Sequence, residues 1–140
     1  MKQKNSRPLP SMKELDTREF WQFSAAKEFR YQQCAQCSEV VWYPRNHCPG
    51  CLDGELEWQL ASGLGEVYSY SIVRQSYHPF FRNLVPYVVA WVDLVEGPRL
   101  LTNVVECDVE AVSVGMPVEI TWETHEEVSI PLVRKAPAME

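Results

Sequence analysis

Four of the five cysteines in this 140-residue chain form two Cys-x-x-Cys pairs: Cys34-Ala-Gln-Cys37, ten residues, then Cys48-Pro-Gly-Cys51. Each pair sets two thiolates on one tight turn, and a hairpin that joins the turns surrounds one ion with four sulfurs. The interval is shorter than the roughly fifteen to twenty residues of the generic zinc pattern. Val40-Val41-Trp42-Tyr43 followed by Pro44 nevertheless supplies a strand and a turn between the pairs. With Cys34, Cys37, Cys48 and Cys51 all engaged, no coordination position remains for water, so the expected metal is structural and not a Lewis acid. Zinc is the expected ion and iron, which would imply electron transfer, the alternative; without metal the same residues are four thiols or two disulfides. His47 adjoins Cys48 but is not needed as a ligand, and Cys107, outside both pairs, reads as a small buried hydrophobe. His78 and His125 have no partner at a diagnostic spacing. No catalytic triad, nucleophile elbow or phosphate-cradling glycine loop is present, so the expectation is a protein that is not itself an enzyme.

The elements that must position this centre follow from the chain in order. Residues 1–15 carry two prolines and no periodicity, and read as a flexible arm that orders only on a surface or a partner. A helix is expected over 16–29, capped by Asp16 or Thr17, with Phe20, Phe23 and Lys27 on one face and Trp21, Ser24 and Ala25 on another. One short helix cannot turn all its rings toward one small core. Either they all pack on the ribbon, or some meet a neighbouring module, a ligand or another chain. Residues 30–61 form the ribbon, closed by the alternating Leu56-Glu57-Trp58-Gln59-Leu60, and Ser62-Gly63-Leu64-Gly65 is a joint. Residues 62–140 are patterned as β throughout, with Val67, Ser69, Ser71 and Val73 on one face of a first strand and Tyr68, Tyr70 and Ile72 on the other. Five strands with a long first connection fit a small Greek-key barrel of OB type; a β-sandwich is the rival. The fold class is therefore mostly β: an N-terminal helix, a four-cysteine ribbon and a five-stranded barrel. The twelve-residue connection from Gln75 to Pro86 carries Tyr77, Phe80 and Phe81, which either hold a ligand or plug the barrel's end.

In that order the elements resemble a bacterial and archaeal family that joins a rubredoxin-like zinc ribbon to an OB-fold and is associated with acyl-CoA metabolism, often beside thiolase-like proteins. The resemblance rests on Phe20-Trp21, the two cysteine pairs, Tyr43-Pro44-Arg45, Leu56-Glu57-Trp58, Ser62-Gly63-x-Gly65, Val67-Tyr68-Ser69-Tyr70 and Pro86-Tyr87-Val88-Val89-Ala90. It continues through Glu96-Gly97-Pro98-Arg99-Leu100-Leu101-Thr102-Asn103 and Gly115-Met116-Pro117-Val118, and covers residues 17 to 124. It implies an accessory subunit that binds a thiolase-like or ketoacyl-CoA-handling enzyme and helps hold the CoA portion of its substrate without catalysing the reaction. The chain departs from the pattern where family ribbons usually have glycine after the second cysteine of each pair: Ser38 and Leu52 stand at positions that favour positive φ.

An acyl-CoA or other CoA ester needs a cation for phosphate, an aromatic surface for adenine and an apolar groove for the pantetheine and acyl chain. Trp21, Tyr43, Arg45, Arg74, Phe80, Arg82 and Tyr87 have the right types and are the candidate ligand-binding residues. The other reading is a module binding single-stranded nucleic acid, with Tyr68, Tyr70 and Trp91 stacking bases. A net charge of -6 argues against it, because phosphate binding rests on Lys and Arg neutralising a polyanion. No apolar run approaches the ~20 residues of a membrane span and no leader pattern opens the chain, so a cytoplasmic protein is expected, with self-association left open.

Overall fold

The computed structural model describes residues 7–137. The expected arm falls partly outside that range, since Met1 to Ser6 are not described. Helix α1 (Arg18–Ala25) is followed by a three-stranded antiparallel sheet in the order β2-β1-β3, from β1 (Arg30–Cys34), β2 (Val40–Val41) and β3 (Leu56–Leu60). The helix is shorter than the 16–29 span because Lys27 turns at φ 63°, a left-handed step that redirects the chain into β1. Its buried residues are Phe20 and Ser24, one helical turn apart, rather than Phe20 with Phe23. Phe20 packs edge-on against Phe29 (5.4 Å) and Trp42 (5.4 Å) of the ribbon, and Phe23 against Trp58 (5.3 Å).

The second body is a closed barrel of five strands in the order β4-β5-β6-β8-β7: β4 (Leu64–Val73), β5 (Tyr87–Leu94), β6 (Arg99–Val105), β7 (Pro117–Thr124) and β8 (Ser129–Lys135). A parallel pairing of Val104 with Val133 and Val105 with Arg134 closes it, which excludes the sandwich. On β5 the alternation is regular: Val88, Ala90, Val92 and Leu94 are buried, and Trp91 is exposed. On β4 it is not. The register against β5 shifts between Val67 and Ser69, so Val67 pairs with Val92 while Tyr70 and Ile72 pair with Ala90 and Val88. A bulge at Tyr68 therefore puts Val67 and Ile72 on the same side, where strict alternation would separate them. The twelve-residue connection contains a four-residue helix, α2 (Pro79–Arg82), whose Phe80 amide donates to His78 Nδ1 at 3.1 Å. Among the described residues no helix is long and apolar enough to cross a membrane.

Ribbon and barrel meet across α1. Lys27 Nζ donates to Thr124 Oγ1 on β7 (2.7 Å), and the Ser62 amide donates to Glu96 Oε2 (2.7 Å), tying the joint to the β5–β6 turn. The N-terminal segment is also held on the chain's own surface, since Arg18 Nε donates to Met12 O (2.9 Å) and Arg7 pairs with Glu123 of β7.

Candidate metal centre and ligand groove

The sulfurs of Cys34, Cys37, Cys48 and Cys51 all lie within 4.8 Å of one another. Cys34 Sγ is 3.7 Å from Cys51 Sγ, and Cys37 Sγ is 3.6 Å from Cys48 Sγ. A tetrahedron with metal–sulfur bonds near 2.3 Å has edges of about 3.8 Å, so the donor set fits one tetrahedral ion. Two matching knuckles build it. The Ser38 amide donates to Cys34 O and the Leu52 amide to Cys48 O, both at 3.0 Å. The Gln36 and Cys37 amides point at Cys34 Sγ (3.4 Å each), and the Gly50 amide points at Cys48 Sγ (3.3 Å). Donors aimed at a sulfur favour its thiolate, and the Cys37 amide is the largest influence lowering the Cys34 thiol to about 7. Cys37 goes the other way, up to about 12: the Glu39 amide opposes the rise, but desolvation and hydrogen bonds with the other three thiols outweigh it. Ser38 and Leu52 stand at φ 66° and 70°, the left-handed turn that the glycine-less knuckles demand.

Two supports of the centre carried no signal as such in the sequence. Gly54 is buried, and a Cβ there would overlap Cys34 Sγ and lie 3.1 Å from Cys51 Sγ, so the backbone passes too close to the sulfurs for any side chain. Gln32, also buried, accepts from the Arg45 amide (2.7 Å) and donates to Arg45 O (2.8 Å), fixing the loop that follows Tyr43-Pro44. His47 is exposed and outside the cluster.

Where helix, ribbon and barrel meet, a cavity of about 340 Å³ opens, walled by Trp21 of α1, Trp42, Tyr43 and Pro44 of the ribbon, and Leu101 and Pro131 of the barrel. Two further cavities of about 230 Å³ continue across β6. The second includes Phe81, Tyr87, Val89 and Asn103; the third includes Phe81, Leu84, Pro86, Tyr87 and Cys107. Asn103 borders all three, and Arg7 borders the first and the third. Asn103 Nδ2 donates to Val88 O (2.8 Å) and Thr102 Oγ1 to Pro131 O (2.7 Å), so both polar side chains in this lining are tied to the barrel backbone. The buried Trp42 Nε1 has no partner.

The seven candidate ligand residues separate. Trp21 and Tyr43 line the first cavity and Tyr87 the other two. Phe80 lies under Arg7, whose guanidinium carbon is 4.9 Å from its ring centre. Arg45 is exposed and lines none of the three cavities; Arg74 pairs with Glu110 (2.8 Å) and Arg82 donates to Tyr77 O (2.9 Å). Arg7, Trp42 and Asn103 were not among the candidates, and Phe81, read only as a loop ring that holds a ligand or plugs the barrel, lines the second and third cavities. Asn103 ends a conspicuous Leu-Leu-Thr-Asn run, whereas nothing around Arg7 marks it. Tyr68 and Trp91 are exposed on the outer barrel wall, whereas Tyr70, also exposed, pairs with the buried Ala90 on the other face; Arg99 covers the Tyr68 ring at 3.6 Å while also bonding Asp93 (2.6 Å). That neutral pair is not a cationic track for a phosphate backbone.

The comparisons agree with this architecture. Residues 23–57 match the family described as the ChsH2 rubredoxin-like zinc ribbon domain, and residues 58–123 the ChsH2 C-terminal OB-fold domain. A probable enoyl-CoA hydratase alpha subunit of Thermomonospora curvata is 40% identical over 99% of this chain, which spans only 43% of that protein's length. A DUF35 domain-containing scaffold protein of Methanothermobacter thermautotrophicus is 36% identical, covering 68% of this chain and 71% of the relative. Among solved structures, a chain of an Ltp2-ChsH2(DUF35) aldolase superposes with a TM-score of 0.79 at 34% identity, over 92% of this chain and 98% of that one. A DUF35-family protein of unknown function from Sulfolobus solfataricus shares the fold, with a TM-score of 0.63 at 16% identity over 87% of this chain and 86% of that one.

Proposed function

The chain belongs to the family defined by the ChsH2 zinc ribbon and C-terminal OB-fold domains, and from that premise we propose that it is a non-catalytic subunit holding a CoA ester for a thiolase-like enzyme. The groove across β6 carries the reading. It offers aromatic faces at Trp21, Trp42 and Tyr43, a long apolar floor, and one guanidinium. Those are the contacts a nucleotide joined to a pantetheine and acyl chain requires. Among the described residues, no serine, cysteine or histidine hydrogen-bonded to a base lines the groove, so chemistry on the acyl group falls to a partner. The scaffold-protein names among the relatives support the non-catalytic part of this reading, while the aldolase and hydratase alpha-subunit names support only its place in an enzyme assembly. Zinc suits the four-sulfur centre, where Cys34, Cys37, Cys48 and Cys51 would hold it; its chemistry there is structural, fixing Trp42 and Tyr43 as a wall of the groove.

Affinity purification from the native cell is expected to recover a thiolase-like enzyme with the chain, and calorimetry to show saturable binding of an acyl-CoA to that complex. Recovery of no such enzyme, together with no CoA-ester binding, would sink the proposal. Turnover of an acyl-CoA by the chain alone would replace it with a catalytic role.

A further inference from the structure

Arg7 lies outside both family matches, which begin at residue 23, in a stretch whose composition suggests an unattached arm. In the fold its side chain is only 11% exposed, and it sits in the middle of the groove, bordering the Trp21–Trp42–Tyr43 cavity on one side and the Phe81–Tyr87–Cys107 cavity on the other. No other Lys or Arg lines any of the three cavities. The guanidinium is held at 4.9 and 5.4 Å from the ring centres of Phe80 and Phe81, which favour a cation over their faces. Glu123 accepts a hydrogen bond from Nη2 at 3.2 Å and its carboxylate also stands beside the buried Nε, which has no hydrogen-bond partner of its own. Nη1 has no hydrogen-bond partner among the described residues, so one donor edge of a preset fork remains for a ligand.

The sequence of chemistry along the groove is thus aromatic cavity, single cation, apolar cavity. A ligand that fits it carries its anionic group in the middle, between a flat aromatic end and an apolar chain. Resting on the CoA-ester reading above, we propose that Arg7 anchors the diphosphate of CoA, with the adenine end against Trp21, Trp42 and Tyr43 and the pantetheine end over Phe81 and Tyr87. A ligand with its charge at one end, such as a simple fatty acid, would leave one cavity unfilled or the cation unpaired. Glu123 tempers the site: it holds the guanidinium in place and also repels an incoming phosphate, while His125 Nε2, 2.7 Å from Glu123 Oε1, shares that carboxylate. Removing the negative charge without removing the guanidinium should therefore favour the anion.

The test is calorimetry on the full chain, in its partner complex where one is recovered, with CoA, 3′-dephospho-CoA and pantetheine as probes. Wild type is expected to bind the first two alike and pantetheine more weakly. Arg7→Gln should weaken CoA and dephospho-CoA by about ten- to hundredfold, the range for a hydrogen bond to a charged group, and leave pantetheine unchanged. Glu123→Gln should leave the phosphorylated probes unchanged or tighten them; a purely structural Arg7–Glu123 clasp would instead make both variants lose all three probes in parallel. That parallel loss, or Arg7→Gln affinities equal to wild type, overturns the assignment, and loss for CoA but not dephospho-CoA moves the contact to the 3′-phosphate and overturns the diphosphate. Absence of any CoA binding by wild type is a different result, because it removes the reading on which the inference stands.

Discussion

The ribbon sheet pairs strands of five, two and five residues, whereas the barrel strands run from seven to ten residues and close on one another. The barrel buries its own core: Val67, Val88, Val92, Val118 and Val133 are each at most 1% exposed. The ribbon's most enclosed side chains are the ligands Cys34 and Cys48, and its buried Phe29 and Tyr31, with Val40, Trp42 and Trp58 packed against them, join a cluster that includes the helix and barrel. One body is held by apolar area removed from water, whereas the other converges on four sulfurs placed to hold one ion. The difference teaches where the groove is fragile. Its floor is barrel, but Trp42, Tyr43 and Pro44 in its wall stand on the ribbon, between the two cysteine pairs.

Metal removal separates the two bodies most strongly. Structural zinc contributes about 10–16 kcal/mol, which in such a module is folding free energy. A strong chelator, or Cys48→Ser, is expected to release one equivalent of metal and abolish the near-ultraviolet signal of Trp42 and Trp58, while protease-resistant barrel fragments from about residue 62 onward survive. Simultaneous collapse of both bodies would show that the barrel depends on the ribbon. Phe20→Ala attacks the seam between them, deleting a ring that touches Phe29 and Trp42, and should cost about 3–5 kcal/mol in chemical denaturation while metal stoichiometry stays at one. A smaller effect on the ribbon alone is expected of Gly54→Ala, whose methyl overlaps Cys34 Sγ. Overpacking there should cost about 1–3 kcal/mol and speed metal transfer to a chelator, with the barrel transition unmoved. Least of all, Ser38→Gly or Leu52→Gly relieves a left-handed residue. The gain of about 1–2 kcal/mol in strain is partly offset by glycine's greater unfolded entropy, leaving a net stabilisation of about 0.5–1 kcal/mol, readable as slower metal loss.

Features that depend on neighbours along the chain are legible in the amino-acid sequence itself. The cysteine spacing sets both knuckles, while the left-handed positions at Ser38 and Leu52 are marked only by the family resemblance, which expects glycine there. The almost continuously apolar run of β5 marks a central strand, but which of its faces is buried is decided by the fold, where burial alternates with the pleat's period of two. The same rule fails on β4 at Tyr68, since a bulge inserts one residue without a compositional sign. The groove is legible only in part: Trp21, Tyr43 and Tyr87 have the right chemistry and line it, while Arg45 and Arg74 have the same chemistry and do not.

By itself, then, the sequence determined the metal centre, the strand-rich fold and the aromatic character of the helix, because each is encoded in short-range spacing or period. Only the tertiary structure decided that Arg7 and Glu123, 116 residues apart, meet beneath the groove, and that Gly54 passes against a sulfur. Those contacts arise from how ribbon, helix and barrel dock. Docking depends on shape and burial summed over distant segments, which no local pattern records.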